Sequence, residues 1–231
     1  LRLNLMKLDY QPWENRPSSR DNIVSVEGSF DFRRDHHFEA EMGYSRSDPD
    51  SAGSGLAWRS IYRGKLFNDV HYSFFGRKAV PDFAGRYKDT AHYAGTITFP
   101  LSRAIHGNLS CTRYESNLEG RPEHGAASRE NLYKAGIKIK MPKQWRMKID
   151  YDFYDRHDAQ PIPTEEFQEH GLRLGIGRSV GPLSYRAQIR RIQADDHLAG
   201  EAHSGWNYEF FTTYILNRTL FFSFTGSFGD D

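Results

Sequence analysis

Lys134-Ala-Gly-Ile-Lys-Ile-Lys-Met-Pro-Lys-Gln-Trp-Arg-Met-Lys-Ile-Asp-Tyr-Asp-Phe153 is the stretch on which the reading of this chain turns. Ala135, Ile137, Ile139 and Met141 alternate with Lys134, Gly136, Lys138 and Lys140. Beyond Pro142–Gln144, Trp145, Met147, Ile149, Tyr151 and Phe153 alternate with Arg146, Lys148, Asp150 and Asp152. An apolar residue at every second position lies on one face of an extended strand, because successive side chains point to opposite faces. Two such runs across a short turn predict an antiparallel hairpin with one apolar face and one densely charged face.

The same pattern extends in both directions. Val24, Val26, Gly28, Phe30 and Phe32 alternate with Ser25, Glu27, Ser29 and Asp31, and Phe38, Ala40, Met42 and Tyr44 with His37, Glu39, Glu41 and Gly43. Toward the C-terminus, Leu172, Leu174 and Ile176, then Leu183, Tyr185, Ala187 and Ile189, repeat it around Arg173, Arg186, Gln188 and Arg190. Helical periodicity is almost absent. About 13 strands of about 8–11 residues are predicted, the length of a tilted strand that crosses a bilayer. They fall near 1–10, 23–33, 37–46, 56–63, 66–75, 91–100, 105–115, 132–141, 145–154, 169–177, 182–192, 205–214 and 219–228.

The connections alternate in length. Arg34–His36, Gly64–Lys65, Leu101–Ala104, Pro142–Gln144, Arg178–Gly181 and Leu216–Arg218 are tight. Gln11–Asn22, Ser47–Gly55, Gly76–Thr90, Glu115–Asn131, Asp155–Glu169 and Ala194–Ser204 are long and rich in Gly, Pro, Asp and Ser. In a meander this puts every short turn at one end of the sheet and every long loop at the other, the asymmetry of bacterial outer-membrane barrels. Aromatic residues gather near strand ends: Tyr10 and Trp13, Tyr44, Trp58 and Tyr62, Tyr72 to Phe75, Trp145, Tyr151 to Tyr154, Trp206 and Tyr208. Rings so placed suit the two membrane interfaces.

Composition agrees. The 231 residues carry 31 Lys plus Arg against 30 Asp plus Glu, a balance that points to no nucleic-acid partner. Aromatic residues make up 14% of the chain, and the mean hydropathy is −0.74. A sheet with lipid on one face and water on the other has this composition. No run approaches the roughly 18 apolar residues of a membrane helix, and the one cysteine, Cys111, excludes a disulfide framework within the chain. The start, Leu1-Arg-Leu-Asn-Leu-Met-Lys7, has neither an initiator Met nor a leader, so an export signal is expected to be removed or to lie upstream. The expected fold is all-β: an antiparallel up-and-down transmembrane β-barrel over residues 1–231. From the odd strand count and the ending Phe228-Gly-Asp-Asp231 it is expected to be part of a larger barrel. A soluble antiparallel β-sandwich is the alternative fold, since about 13 strands would close a soluble barrel too wide to fill.

Catalytic chemistry has no foothold. His36 and His37 sit in a short turn, and Leu174-Gly-Ile-Gly177 lies inside an alternating strand, so neither a metal site nor a phosphate loop follows. Asp150 and Asp152 share a face with Lys148, which favours paired charges over a carboxylate dyad. No enzyme activity, metal or cofactor is expected. The polar face is distinctive: Lys134, Lys138, Lys140, Arg146, Lys148, Arg173, Arg186 and Arg190 form a basic stripe over four successive strands. Glu27, Asp31, Glu39 and Glu41 make the early strands acidic. Both sets are expected to line a pore, where opposed charge biases the passage of charged solutes or seats a charged partner.

The strand-turn-strand pattern resembles large outer-membrane porin-like barrels over most of the chain. Tyr151-Asp-Phe-Tyr-Asp-Arg-His-Asp158 followed by Pro161 resembles loop-entry segments of the outer-membrane porins that sheathe multihaem cytochromes. That family's pattern includes an N-terminal Cys-x-x-Cys, which is absent here. The resemblance implies a bacterial outer-membrane barrel with no haem of its own around a partner electron carrier. Three functions follow as expectations: a conduit wall for solutes; a scaffold holding a multihaem cytochrome or a secretion or export component; and, for the sandwich fold, a soluble binding module. Lipid is the expected partner of the first two.

Overall fold

The structure, a computed structural model, describes residues 2–10, 19–32, 35–48, 54–83, 89–120, 127–158, 163, 166–215 and 221–229. It contains β1 (Arg2–Tyr10), β2 (Ser19–Phe32), β3 (His36–Asp48), β4 (Ser54–Lys65), β5 (His71–Ala79), β6 (Thr90–Pro100) and β7 (Ile105–Ser116). Then come β8 (Ser128–Lys140), β9 (Trp145–Asp158), β10 (Glu166–Val180), β11 (Leu183–Asp196), β12 (Glu201–Ile215) and β13 (Phe221–Gly229). Each strand pairs antiparallel with the next, giving one up-and-down sheet of 13 strands in sequence order. A two-sheet sandwich does not form, because no break in the ladder separates one group of strands from another. β1 and β13 are the outer strands, and with an odd count they run in the same direction.

The register sorts side chains as the alternation predicted. Ile137, Ile149, Leu174, Ile189 and Tyr208 form one continuous row across β8 to β12. Lys138 and Lys148 belong to a row on the opposite face. Residue type, more than exposure, separates the faces: in the central hairpin Lys138, Lys140, Arg146 and Lys148 are exposed on the polar face, while Ile139, Met147 and Ile149 are half-buried on the other. On the apolar face Phe30 and Met42 are each 64% exposed, whereas on the polar face the side chains of Asp150 and Asp152 are 15% and 14% exposed. Carboxylates are shaded on the concave side and apolar groups stand outward on the convex side. This is the inverse of a water-soluble barrel and the arrangement of a transmembrane one.

Two aromatic bands bound the convex face. Toward the short turns Phe30, Phe38, Tyr62 and Phe74 stand in one row, with Tyr62 and Tyr72 rings 5.1 Å apart and Trp145 against Tyr185 at 5.6 Å. Toward the opposite end Trp58 meets Tyr93 at 6.2 Å and Tyr133 stacks on Phe153 at 6.1 Å. Trp206 and Tyr214 lie roughly 26 Å apart along β12, comparable to an apolar band about 25 Å tall. Phe75 and Tyr154 depart from this scheme, since both lie on the concave face, where Phe75 packs on His92 and Tyr154 on Phe167. Trp13 and the Tyr10 side chain lie outside the described residues.

The strands are longer than the alternation suggested: β9 has 14 residues, and β10 and β12 have 15 each. Residues 115–116 and 128–131, 155–158 and 166–169, and 194–196 and 201–204 are strand, not loop, and the turn at 197–200 is as tight as those at the other end. Strict alternation of connection length is therefore lost there. The physical reason is that above the upper aromatic band both faces meet water, so period two disappears while the ladder continues. Polar contacts hold this collar: Arg113 and Arg129 both bond Glu115 (2.5 and 2.9 Å), and Asn131 Nδ2 donates to Asp155 Oδ2 at 3.1 Å. At the short-turn end Lys65 N, Lys140 N and Ile215 N donate to the carbonyls of Asp35, Ala104 and Pro182 (2.9, 2.8 and 2.9 Å), extending the ladder into the turns.

One strand begins later than expected. Leu66 and Phe67 look like strand by hydropathy, yet Phe67–Asp69 is a 3-10 turn and β5 starts at His71. Leu66 N bonds Val70 O at 2.8 Å, and the Lys65 ammonium, 2.5 Å from Asp69, holds that exposed carboxyl below its ordinary range.

Replacing Ile149, midway between the aromatic bands on the convex face, by Arg is expected to cost roughly 2–4 kcal/mol of folding stability in lipid. Lys138→Gln on the concave face should cost less than about 0.5 kcal/mol. Reversible folding into bilayers measures both, and equal costs would mean that the faces are inverted.

Candidate functional site: the charged concave wall

Every residue of the basic stripe lies on the concave face of β8 to β11, as the register requires. The stripe divides into two parts with different electrostatics. In the part nearer the collar the cations have acids beside them. Lys134 stands opposite Asp152, and Arg173 opposite Asp150. Arg190 Nη2 lies 2.9 Å from Asp152 Oδ2 and 2.7 Å from Glu169 Oε1, so one guanidinium on β11 ties together carboxylates from β9 and β10. Lys148 Nζ lies 2.6 Å from Asp150 Oδ2. A concavity of about 410 Å³ opens over this network.

Nearer the short turns the pattern changes. Lys138 stands directly opposite Lys148, and Lys140 directly opposite Arg146. Like charges in directly opposed positions are destabilising. Arg186 extends its guanidinium over the Phe211 ring, 4.2 Å from the centroid. A larger concavity, about 1010 Å³, is lined here by Lys138, Lys140, Arg146, Lys148, Arg173 and Arg186.

Glu27, Asp31, Glu39 and Glu41 share the concave face of β2 and β3. Glu27 and Glu41 are opposed in register. Arg59 of β4 bonds Glu39 and lies 3.8 Å from Glu41, Ser25 Oγ donates to Glu41 Oε1 at 2.7 Å, and Asp31 meets His37 Nδ1 at 2.6 Å. Sequence reasoning named the acids and missed Arg59. Its signal was available as the arginine two positions before Ile61 in an alternating run, but only the strand register brings it to Glu39.

A second missed feature is the segment between β5 and β6. Residues 80–83 fold against the concave face, not away from it. A side chain at Gly55 would come within 2.3 Å of Phe83 N, and one at Gly43 would touch the Phe83 ring at 3.6 Å. Gly55 thus makes the room in which this segment lies. Val80 N bonds Leu56 O at 3.0 Å, and Asp89, 4% exposed, receives Asn117 N on its carbonyl (2.9 Å) and Leu118 N on its carboxylate (2.8 Å). Two glycines facing inward on adjacent strands were the available clue. Among the described residues no group of His, Cys, Asp and Glu is arranged to hold a metal ion.

Similarity to solved structures extends over nearly the whole chain. The fold is similar to OmpT, an outer membrane protein of Vibrio cholerae folded in vitro, with a TM-score of 0.56, 6% identity, and coverage of 99% of this chain and 85% of that one. Its loop L8 deletion mutant gives 0.56, 5%, 99% and 91%, and its trimer form 0.55, 7%, 99% and 86%. No protein-family model and no curated protein matches the sequence. At these identities the likeness concerns the fold alone: an antiparallel up-and-down sheet of the bacterial outer-membrane β-barrel type.

Arg190→Met should destabilise the sheet by about 1–3 kcal/mol, because it leaves Asp152 and Glu169 shielded and unpaired beside each other. Adding Asp152→Asn and Glu169→Gln should recover much of that loss. Guanidinium unfolding midpoints in lipid would test the pair of results, and a cost no larger than that of Lys138→Gln would show that the three-strand bridge contributes little.

Proposed function

We propose that this chain forms the wall of a water-filled conduit through the bacterial outer membrane, passing solutes along its concave face without covalent chemistry. The observation that carries the reading is the two-faced sheet: aliphatic and aromatic rows on the convex side, and rows of charge on the concave side, where the carboxylates are shaded and the cations stand into the concavity. A bilayer supplies the outer medium such a surface needs, and water supplies the inner one. Resemblance of the fold to an outer membrane protein supports the location. The segment 80–83, lying across the concave face, narrows the passage at the collar end, while the basic rows set its preference at the short-turn end.

In this reading Lys134, Lys138, Lys140, Arg146, Lys148, Arg173, Arg186 and Arg190 line the lumen and attract anions. Glu27, Asp31, Glu39 and Glu41 face the same water, with Arg59 moderating their field. Fields from rows of like charge add within a narrow space and are screened less than on an open surface. A second reading rests on the same concave basic wall: a scaffold that seats an acidic protein partner, such as a multihaem cytochrome or an export component.

Planar-bilayer recordings separate the two. A conduit should show discrete conductance with anion preference. Lys140→Glu combined with Lys148→Glu should move the reversal potential toward cations, more strongly at low salt. Absence of conductance in a correctly folded protein would remove the conduit reading and favour the scaffold. A conductance whose selectivity ignores the double substitution would remove the basic wall from the lumen.

A further inference from the structure

We propose that the short-turn end of the concave wall binds solutes bearing two or more phosphate-type groups, cradled over a glycine floor between two basic flanks. The proposal rests on the concave face being the water-filled side. Two adjacent rows build the site. One runs Lys138, Lys148, Gly175, Gln188 and the next Lys140, Arg146, Gly177, Arg186, across β8, β9, β10 and β11. Four cations therefore stand on β8 and β9, no side chain stands on β10, and Arg186 and Gln188 stand on β11. Strand spacing sets the flanks of β9 and β11 roughly 10 Å apart, and the rows are roughly 7 Å apart along the strands.

Two features point to an anionic ligand. First, both rows place cations directly opposite each other, a repulsive arrangement, and from β8 to β11 neither row holds a carboxylate. Two acids lie at the margin: Asp150, in the next row, lines the same concavity and sits 2.6 Å from Lys148 Nζ, and Glu209 continues the first row on β12, where it accepts from Gln188 Nε2. Lys138, Lys140, Arg146 and Arg186 face the 1010 Å³ concavity together. Second, of the two floor glycines Gly177 is dictated by backbone packing, a Cβ there coming within 2.9 Å of Tyr185 O, but Gly175 is not. A Cβ at Gly175 would find its nearest neighbour at 3.6 Å, an ordinary contact. Glycine weakens a strand interior and commonly marks close approach of a ligand or backbone. A side chain is tolerated there by the fold but would fill the trough. A monovalent ion relieves repulsion in one row only, whereas a chain of two or three phosphates reaches both, with Arg146 and Arg186 offering forked donors to tetrahedral oxygens.

Titration calorimetry of the full, refolded chain in detergent, with inorganic tripolyphosphate and with inorganic phosphate as probes, tests the site. Tripolyphosphate should bind at least tenfold more tightly than phosphate, and its affinity should fall with salt. Lys140→Gln with Arg146→Gln should weaken tripolyphosphate binding about tenfold. Gly175→Val should weaken it comparably, with the unfolding midpoint nearly unchanged. Lys134→Gln, a cation beside Asp152, should leave it within twofold. If the paired variant fails to fold, Gly175→Val and the comparison of probes still decide. Equal affinity for the two probes, an unaffected Gly175→Val, or an equal loss in Lys134→Gln would each overturn the proposal. Calorimetry reads binding without current, so a protein that binds but does not conduct upholds this site and removes the conduit. One that conducts without binding does the reverse.

Discussion

A backbone amide placed in hydrocarbon has no water to bond, and leaving it unpaired costs several kcal/mol. The unbroken ladder from β1 to β13 answers that constraint, and the remaining features follow from it. Because each strand from β2 to β12 pairs on both sides, with its neighbours in sequence, the chain returns by hairpins. Because hairpins are antiparallel, opposed residues share a face. Because faces are shared across 13 strands, one substitution pattern repeated locally produces a convex surface of Ile, Leu and aromatic rings and a concave one of Lys, Arg, Asp and Glu. Bulk hydrophobicity plays a smaller part here than in a packed core, since the large apolar groups remain outside.

The legible part of this fold is the part crossing the apolar layer. Ile137, Ile139, Met147 and Ile149 reveal their strands because one face meets lipid and the other does not. Arg129, Asn131, Asp155 and Gln168 conceal theirs because both faces are wet, and a strand polar on both sides looks like a loop. Leu66 and Phe67 mislead in the opposite sense, being apolar in a turn. Turn positions at 142–144 were visible through Pro142, although Lys143 and Gln144 both adopt positive φ (58° and 64°) without a glycine. That handedness matches the strand twist of tight hairpins.

Site residues were legible by face and not by partner. Alternation assigns Lys134 to Arg190 to one surface, but the distinction between bridged and unbridged cations depends on register. Arg190 reaches Glu169 on the adjacent strand and Asp152 on the one beyond, a relation spread over 38 positions of sequence. Arg59 meets Glu39 by the same kind of juxtaposition. The concave wall therefore combines a cross-braced zone, where acids and bases hold neighbouring strands together, with an electrostatically tense zone that retains unneutralised charge. The first braces the sheet and the second leaves like charges facing one another.

The collar has a mechanical consequence. Where the upper ends of β7 to β12 stand clear of the apolar layer, the rim is a corrugated, hydrogen-bonded wall and not a fringe of independent loops. Bending it requires shearing several strands at once, because Glu115 clasps two arginines on adjacent strands and Asp155 links β9 to β8. A molecule approaching from that side meets a stiff, sheet-built rim. The shape of that rim is set by sheet, so surface variation there must preserve strand geometry to be tolerated.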